Sequence, residues 1–208
     1  MNVDQTGWEM KTAILGWGSL LWDDRPQFDQ HHGPWFLDGP RLRVEFSRIS
    51  VRRDRALTLV LETEIGAECQ VAYTVSLRSE VLEAVGDLKI REGATDQQVG
   101  LYYPNSDCDT DHQRQTVAAI RTWADATDFD AVIWTALPNN FQQLHEVGAP
   151  FSFEAAESHL KSLPEHGLGR AAEYVFQAPS FIETPLRTHL QQLPWFEESW
   201  HRYRHENY

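Results

Sequence analysis

The spacing of hydrophobic positions along the chain changes character partway through. After a polar leader through Lys11, the run Ala13-Ile14-Leu15 is stopped by Gly16 and Gly18, which predicts a short buried strand running into a loop. Positions 41–48 alternate, with Leu42, Val44 and Phe46 on one face and Arg43, Glu45 and Ser47 on the other, as in a half-buried strand. A denser apolar run spans 56–61. Gly66 then allows a turn into Cys69, Val71, Tyr73 and Val75, another alternating strand. Three strands in close succession predict an antiparallel meander, because parallel neighbours need long crossovers.

Helical spacing follows. Ser79 is placed to cap a helix with Val81, Leu82, Val85 and Leu88 on one face and Glu80 and Glu83 in its first turn. Thr110 is placed to cap a second, with Val117, Ile120 and Ala124 inward. Positions 131–137 read as a buried strand ended by Pro138-Asn139-Asn140. Ser152 opens a third helix with Ala156, Leu160 and Leu163 facing in. Thr184-Pro185 has the form of an N-cap followed by an N1 proline, ahead of Leu186, Leu190 and Leu193. Strands first, then strand and helices mixed, is α+β. The strands starting near 13, 41, 56, 69 and 131 are expected to share one sheet with the loop 16–20 at its mouth. No repeat, low-complexity tract or linker divides residues 1–208, so they read as a single domain, with 1–11 a polar leader and 179–208 a C-terminal helix and aromatic tail.

Composition narrows the function class. The 18 Lys and Arg against 31 Asp and Glu give a formal net charge of −13. That field disfavours nucleic acid and anionic lipid and favours a small-molecule or protein partner. The basic residues Arg41, Arg43, Arg48, Arg52, Arg53 and Arg55 form the one concentration of positive charge, read as solvated strand and turn positions. No apolar run approaches the ~20 residues that cross a bilayer. The first residues lack the positive start and apolar stretch of a secretory signal, so a cytoplasmic location is expected. Cys69 and Cys108 are expected to be free thiols.

Three segments could carry chemistry. In Gly16-Trp17-Gly18-Ser19-Leu20, two glycines around one residue let backbone N–H groups converge on a carboxylate or an oxyanion. A dinucleotide fingerprint fails here, since Leu21 stands where glycine is needed and a turn follows, and Ser19 lacks the setting of a nucleophile elbow. Asp107, Asp109 and Asp111 mimic a calcium loop, but His112 and Ala118 stand where Gly and Glu are required. His31-His32 and His201/His205 lack a third convergent ligand, so no metal is expected. Lastly, Glu92 sits before Gly93 at a predicted helix end, where the macrodipole opposes a carboxylate and raises its pKa, as a general base near neutral pH requires.

Together these residues resemble the gamma-glutamylcyclotransferase family. The loop 16–20 followed by Leu21-Trp22 is similar to its Tyr-Gly-Ser-Leu loop, closest to the ChaC-like, glutathione-degrading branch. Matching segments follow in order: GPRLRVEFSRIS, ALTLVLE, GAECQVAYTV, LKIREG, AVIWTALPNNF and GLGRAAEYVFQ, so the likeness spans roughly residues 13–178. Trp17 stands where the family usually has Tyr, and the stretch 102–130 has a helical pattern where ChaC-like proteins run extended. The resemblance implies a mixed, largely antiparallel, barrel-like sheet with surrounding helices, and no cofactor. It also implies cyclisation of a γ-glutamyl group, from glutathione or another γ-glutamyl amine or peptide, to 5-oxoproline. Glu92 would be the catalytic base, and Gly16, Trp17, Gly18, Ser19 and Leu20 would bind the small-molecule substrate, with Arg48 or Arg52 supplementing that grip. Trp17 and Trp22 are expected close to the pocket. The competing reading is a non-catalytic module on the same fold that binds a small molecule or peptide. Glu92 favours the enzyme, because a pure binder has no need of an acid there.

Overall fold

A computed structural model describes residues 10–104 and 114–207. Among the described residues, seven strands form in the order β1 (Thr12–Gly16), β2 (Arg41–Ser50), β3 (Ala56–Leu61), β4 (Ala67–Gln70), β5 (Ala72–Val75), β6 (Val99–Tyr102) and β7 (Ala131–Thr135). The helices are α1 (Pro26–Asp29), α2 (Val81–Glu92), α3 (Arg114–Ala124), α4 (Phe141–Leu144), α5 (Phe153–Ser162), α6 (Glu165–Gln177), α7 (Pro185–Gln191) and α8 (Pro194–Asn207). The architecture is α+β. The expected single barrel-like sheet is corrected: β5-β1-β7-β6 form one sheet and β3-β2-β4 another, and they do not close into a barrel.

The division falls at Val71. The alternating run expected as one strand from 69 to 75 is two, since β4 pairs with β2 while β5 pairs with β1. Val71 itself bonds to neither sheet; its amide donates to Pro40 O at 3.0 Å and its carbonyl accepts from Gly39 N at 3.1 Å. The predicted meander is therefore also corrected. The pairs of the second sheet are antiparallel, but β2 is its centre and β4 lies on the far side of β2 from β3.

The apolar run of β1 is explained by two-sided burial. Ala13 and Leu15 face the main core, shared with β2, β3 and the C-terminal helices. Ile14 joins Phe28, Val81, Ala84, Leu88, Ala131 and Ile133 in a second cluster under α1 and α2. In β2 the alternation fails halfway. Glu45 and Ser47, expected toward solvent, are both buried. A bulge between Glu45 and Arg48 shifts the register, so Ile49 rather than residue 48 extends the buried face set by Leu42, Val44 and Phe46. The Glu45 carboxylate accepts from Thr184 Oγ1 at 2.6 Å, Phe46 N at 2.7 Å and Leu186 N at 3.3 Å, so its burial is matched by donors.

Local capping signals hold where the caps are side chains. Ser152 Oγ accepts from Ala155 N at 3.1 Å and Thr184 Oγ1 from Arg187 N at 3.3 Å, starting α5 and α7 as expected. In α2 the N-cap is Glu80 rather than Ser79, and Leu82, expected inward, is 74% exposed. The Thr110 cap, Cys108 and the loop of Asp107, Asp109, Asp111 and His112 lie outside the described residues; the expected inward residues of α3, Val117, Ile120 and Ala124, are buried. The aromatic tail is helix α8. Phe196 is fully buried and stacks on Phe176 of α6 at 5.9 Å, with Trp200 stacked on the same ring at 5.9 Å.

Candidate active site

A cavity of about 710 Å³ opens between the two sheets' loops, the end of α2 and α6. Trp17, Gly18, Ser19, Leu20 and Glu92 all line it. Gly16, expected among them, does not. It is the last residue of β1, and a Cβ there would sit 2.7 Å from the Trp35 ring, so its lack of a side chain serves packing behind the loop.

The loop leaves β1 and tightens into a 3-10 turn at Ser19–Leu21, with Leu21 N donating to Gly18 O at 3.1 Å. Gly18 has no room for a side chain, since a Cβ would lie 2.4 Å from the Tyr174 hydroxyl. Ser19 N donates to that same hydroxyl at 3.4 Å, a long bond that a better acceptor could displace. The Ser19 carbonyl is held by Asp23 N and by the Arg91 guanidinium, both at 2.9 Å, and the same Arg91 nitrogen reaches Asp23 O at 2.9 Å. Arg91 thus ties the loop to the last turn of α2, one residue before Glu92.

Glu92 ends α2, and Gly93 closes it in the left-handed conformation at φ 58°, the cap that glycine adopts without a Cβ penalty. A Cβ at Gly93 would also collide with the Arg52 guanidinium. The Glu92 side chain keeps 18% of its exposure, yet its carboxyl is set deep and Oε1 has no hydrogen-bond partner. The group is surrounded by protein except toward the cavity. Burial pushes its pKa up. Arg91, whose Nη1 is 4.0 Å from Oε1, opposes this first, followed by Arg53 and Arg52, while Asp23 adds to the rise.

Behind the loop, Asp23 pairs with Arg53 and, at 3.1 Å, with Arg25. Burial raises the pKa of Asp23, but Arg53, the Arg25 hydrogen bond and Arg91 outweigh it and hold this carboxyl below its ordinary value. The Arg53 guanidinium lies 5.1 Å from the Tyr174 ring and 5.4 Å from that of Trp22. Trp17 is in the lining as expected, whereas Trp22 sits one layer back, edge-on to Tyr174 at 5.6 Å. Burial drives the Tyr174 phenol upward, so it stays protonated as a donor at neutral pH.

The arginine stretch divides. Arg41 pairs with Glu68 at 2.7 Å on the surface, and Arg43 reaches Glu64 O at 3.5 Å, both as expected of solvated positions. Arg48, Arg52 and Arg53 line the cavity; Arg48 and Arg53 are partly buried, which corrects the reading of those two as solvated, while Arg52 is exposed as expected. The β2 bulge is what frees Arg48, whose Nη1 donates to Pro138 O at 2.6 Å. Tyr174, Arg91 and Arg170 also line the cavity and were not anticipated; only the adjacency of Arg91 to Glu92 carried any sequence signal. Among the described residues no group of three or more His, Cys, Asp or Glu side chains is placed to hold a metal ion. The chain matches no protein-family model and no curated protein sequence.

Proposed function

We propose that this protein is a gamma-glutamylcyclotransferase-like enzyme, converting a small γ-glutamyl compound to 5-oxoproline and a free amine. The observation that carries this reading is the unpartnered, deep-set Glu92 carboxyl sharing one cavity with the backbone of Trp17–Leu20. A raised pKa lets Glu92 take the proton of the substrate α-ammonium near neutral pH. The freed nitrogen attacks the γ-carbonyl carbon of the same molecule, the ring C–N bond forms, and the original γ-amide C–N bond breaks. Glu92 returns the proton to the departing amine, so no water or oxidant is consumed. Closure is intramolecular, and the site's work is to hold the folded conformer. Loop amides, with Ser19 N only weakly engaged by Tyr174, are the donors for the α-carboxylate and for charge developing on the carbonyl oxygen.

The test is direct. Purified protein given a panel of γ-glutamyl compounds should release 5-oxoproline from those with a free α-amine and none from their N-acetylated forms, because the amine is the nucleophile. Equal turnover of an N-acetylated compound would overturn the mechanism.

A further inference from the structure

The positive charge around this cavity is only partly matched by protein carboxylates. Six guanidiniums line it, from Arg25, Arg48, Arg52, Arg53, Arg91 and Arg170, against the carboxyls of Asp87 and Glu92, in a chain of net charge −13. Asp87 is engaged by Arg78 at 2.7 and 3.0 Å, and Arg78 is outside the lining. Asp23 answers Arg25 and Arg53, and Asp54 stands 3.5 Å from Arg170. Arg91 is spent on the Ser19 and Asp23 carbonyls.

Arg48 and Arg52 remain. Neither forms an ion pair with a carboxylate of the described residues. Arg48 is half-buried with one hydrogen bond, to a neutral carbonyl. Arg52 packs against Gly93, beside Glu92. Arg48 is the partly buried one; it feels Glu92 without ion-pair contact, and a cation there without a close counter-ion is unfavourable. Arg52 is exposed at the cavity rim, and the two flank the proposed base from β2 and the turn after it. The γ-glutamyl head cannot balance them. It is a zwitterion, its ammonium is directed to Glu92 and its carboxylate to the loop amides.

Resting on the cyclisation reading, we propose that the half of the substrate expelled as the amine carries two carboxylates, as in a γ-glutamyl dipeptide with an acidic second residue, and that Arg48 and Arg52 hold them.

The experiment compares 5-oxoproline release from γ-glutamyl-glutamate, γ-glutamyl-alanine and γ-glutamyl-ethylamide, whose expelled halves bear two, one and no carboxylates, with dissociation constants by calorimetry. The expected kcat/KM rises about tenfold per carboxylate, or ~1.4 kcal/mol per step, and the steps shrink as salt is raised. Arg48→Gln and Arg52→Gln should each lower the rate with γ-glutamyl-glutamate about tenfold more than with the ethylamide, a split that general destabilisation does not produce. Arg52 is exposed, so its variant keeps the test valid if Arg48→Gln does not fold. Equal kcat/KM for all three compounds overturns the charge selection while leaving cyclisation standing. Release from none of them overturns cyclisation; tighter binding of the dicarboxylate would then still support charge selection, and equal binding would overturn it too.

Discussion

Replacing Glu92 with Gln keeps the side chain's shape and removes its charge and basicity. Loss of a positioned general base costs a factor of about 10²–10⁴, equivalent to ~2.7–5.5 kcal/mol of transition-state stabilisation, so 5-oxoproline release should fall by that much. Stability should move the other way. Burial raises the folded-state pKa of Glu92 above its unfolded value, so the folded state holds the proton more tightly. The carboxyl's contribution to stability is then neutral below the ordinary carboxylate range, declines as pH rises through the raised pKa, and is a constant penalty above it. Gln does not titrate and escapes the penalty. Relief of a buried charge on the order of 1 kcal/mol corresponds to a melting temperature about 2–4 °C higher for a chain of this size. Thermal melts at about pH 5 and about pH 8 should show the gain growing with pH. Glu83→Gln, on the exposed face of the same helix, should match the parent in both assays. Full activity in Glu92→Gln, together with a sharp drop in melting temperature, would make Glu92 a structural residue and refute the reasoning.

Two further outcomes test the support of the site. Arg91→Ala removes both 2.9 Å bonds to the Ser19 and Asp23 carbonyls and the cation that opposes Glu92's upward shift. The acid limb of the kcat/KM profile should therefore move to higher pH and KM should rise; Arg91→Lys should restore the limb but not the loop tether, and an unmoved profile in Arg91→Ala would contradict the link. Phe196→Ala empties a fully buried ring site between α8 and α6, costing about 3–5 kcal/mol; an unchanged melting temperature would mean that α8 does not belong to the core.

Much of the local structure was readable because its causes are local. The stop at Gly16 and Gly18, the side-chain caps Ser152 and Thr184, and the Glu92-Gly93 helix end depend on residues within a few positions of each other. Helix α6 was legible only as the segment GLGRAAEYVFQ, because Gly167 and Gly169 weaken its intrinsic propensity. It is held by burial of Ala171, Ala172, Tyr174 and Val175 against the core, which no local pattern reports.

The sequence by itself determined the α+β class, the positions of β1, β2, β3 and β7, the glycine loop and the acid at the end of α2. Those follow from periodicity and capping, which act over single turns and strands. Tertiary structure alone decided the rest. A break in pairing at Val71 makes two sheets of one expected sheet, and a single extra residue in β2 re-aims Arg48 into the cavity. Tyr174 reaches Gly18 and Ser19 from a helix far along the chain. Hydrogen-bond register and long-range packing choose among partners that identical local patterns leave equivalent, and for that reason an acidic chain carries an arginine-lined site whose charge no composition could reveal.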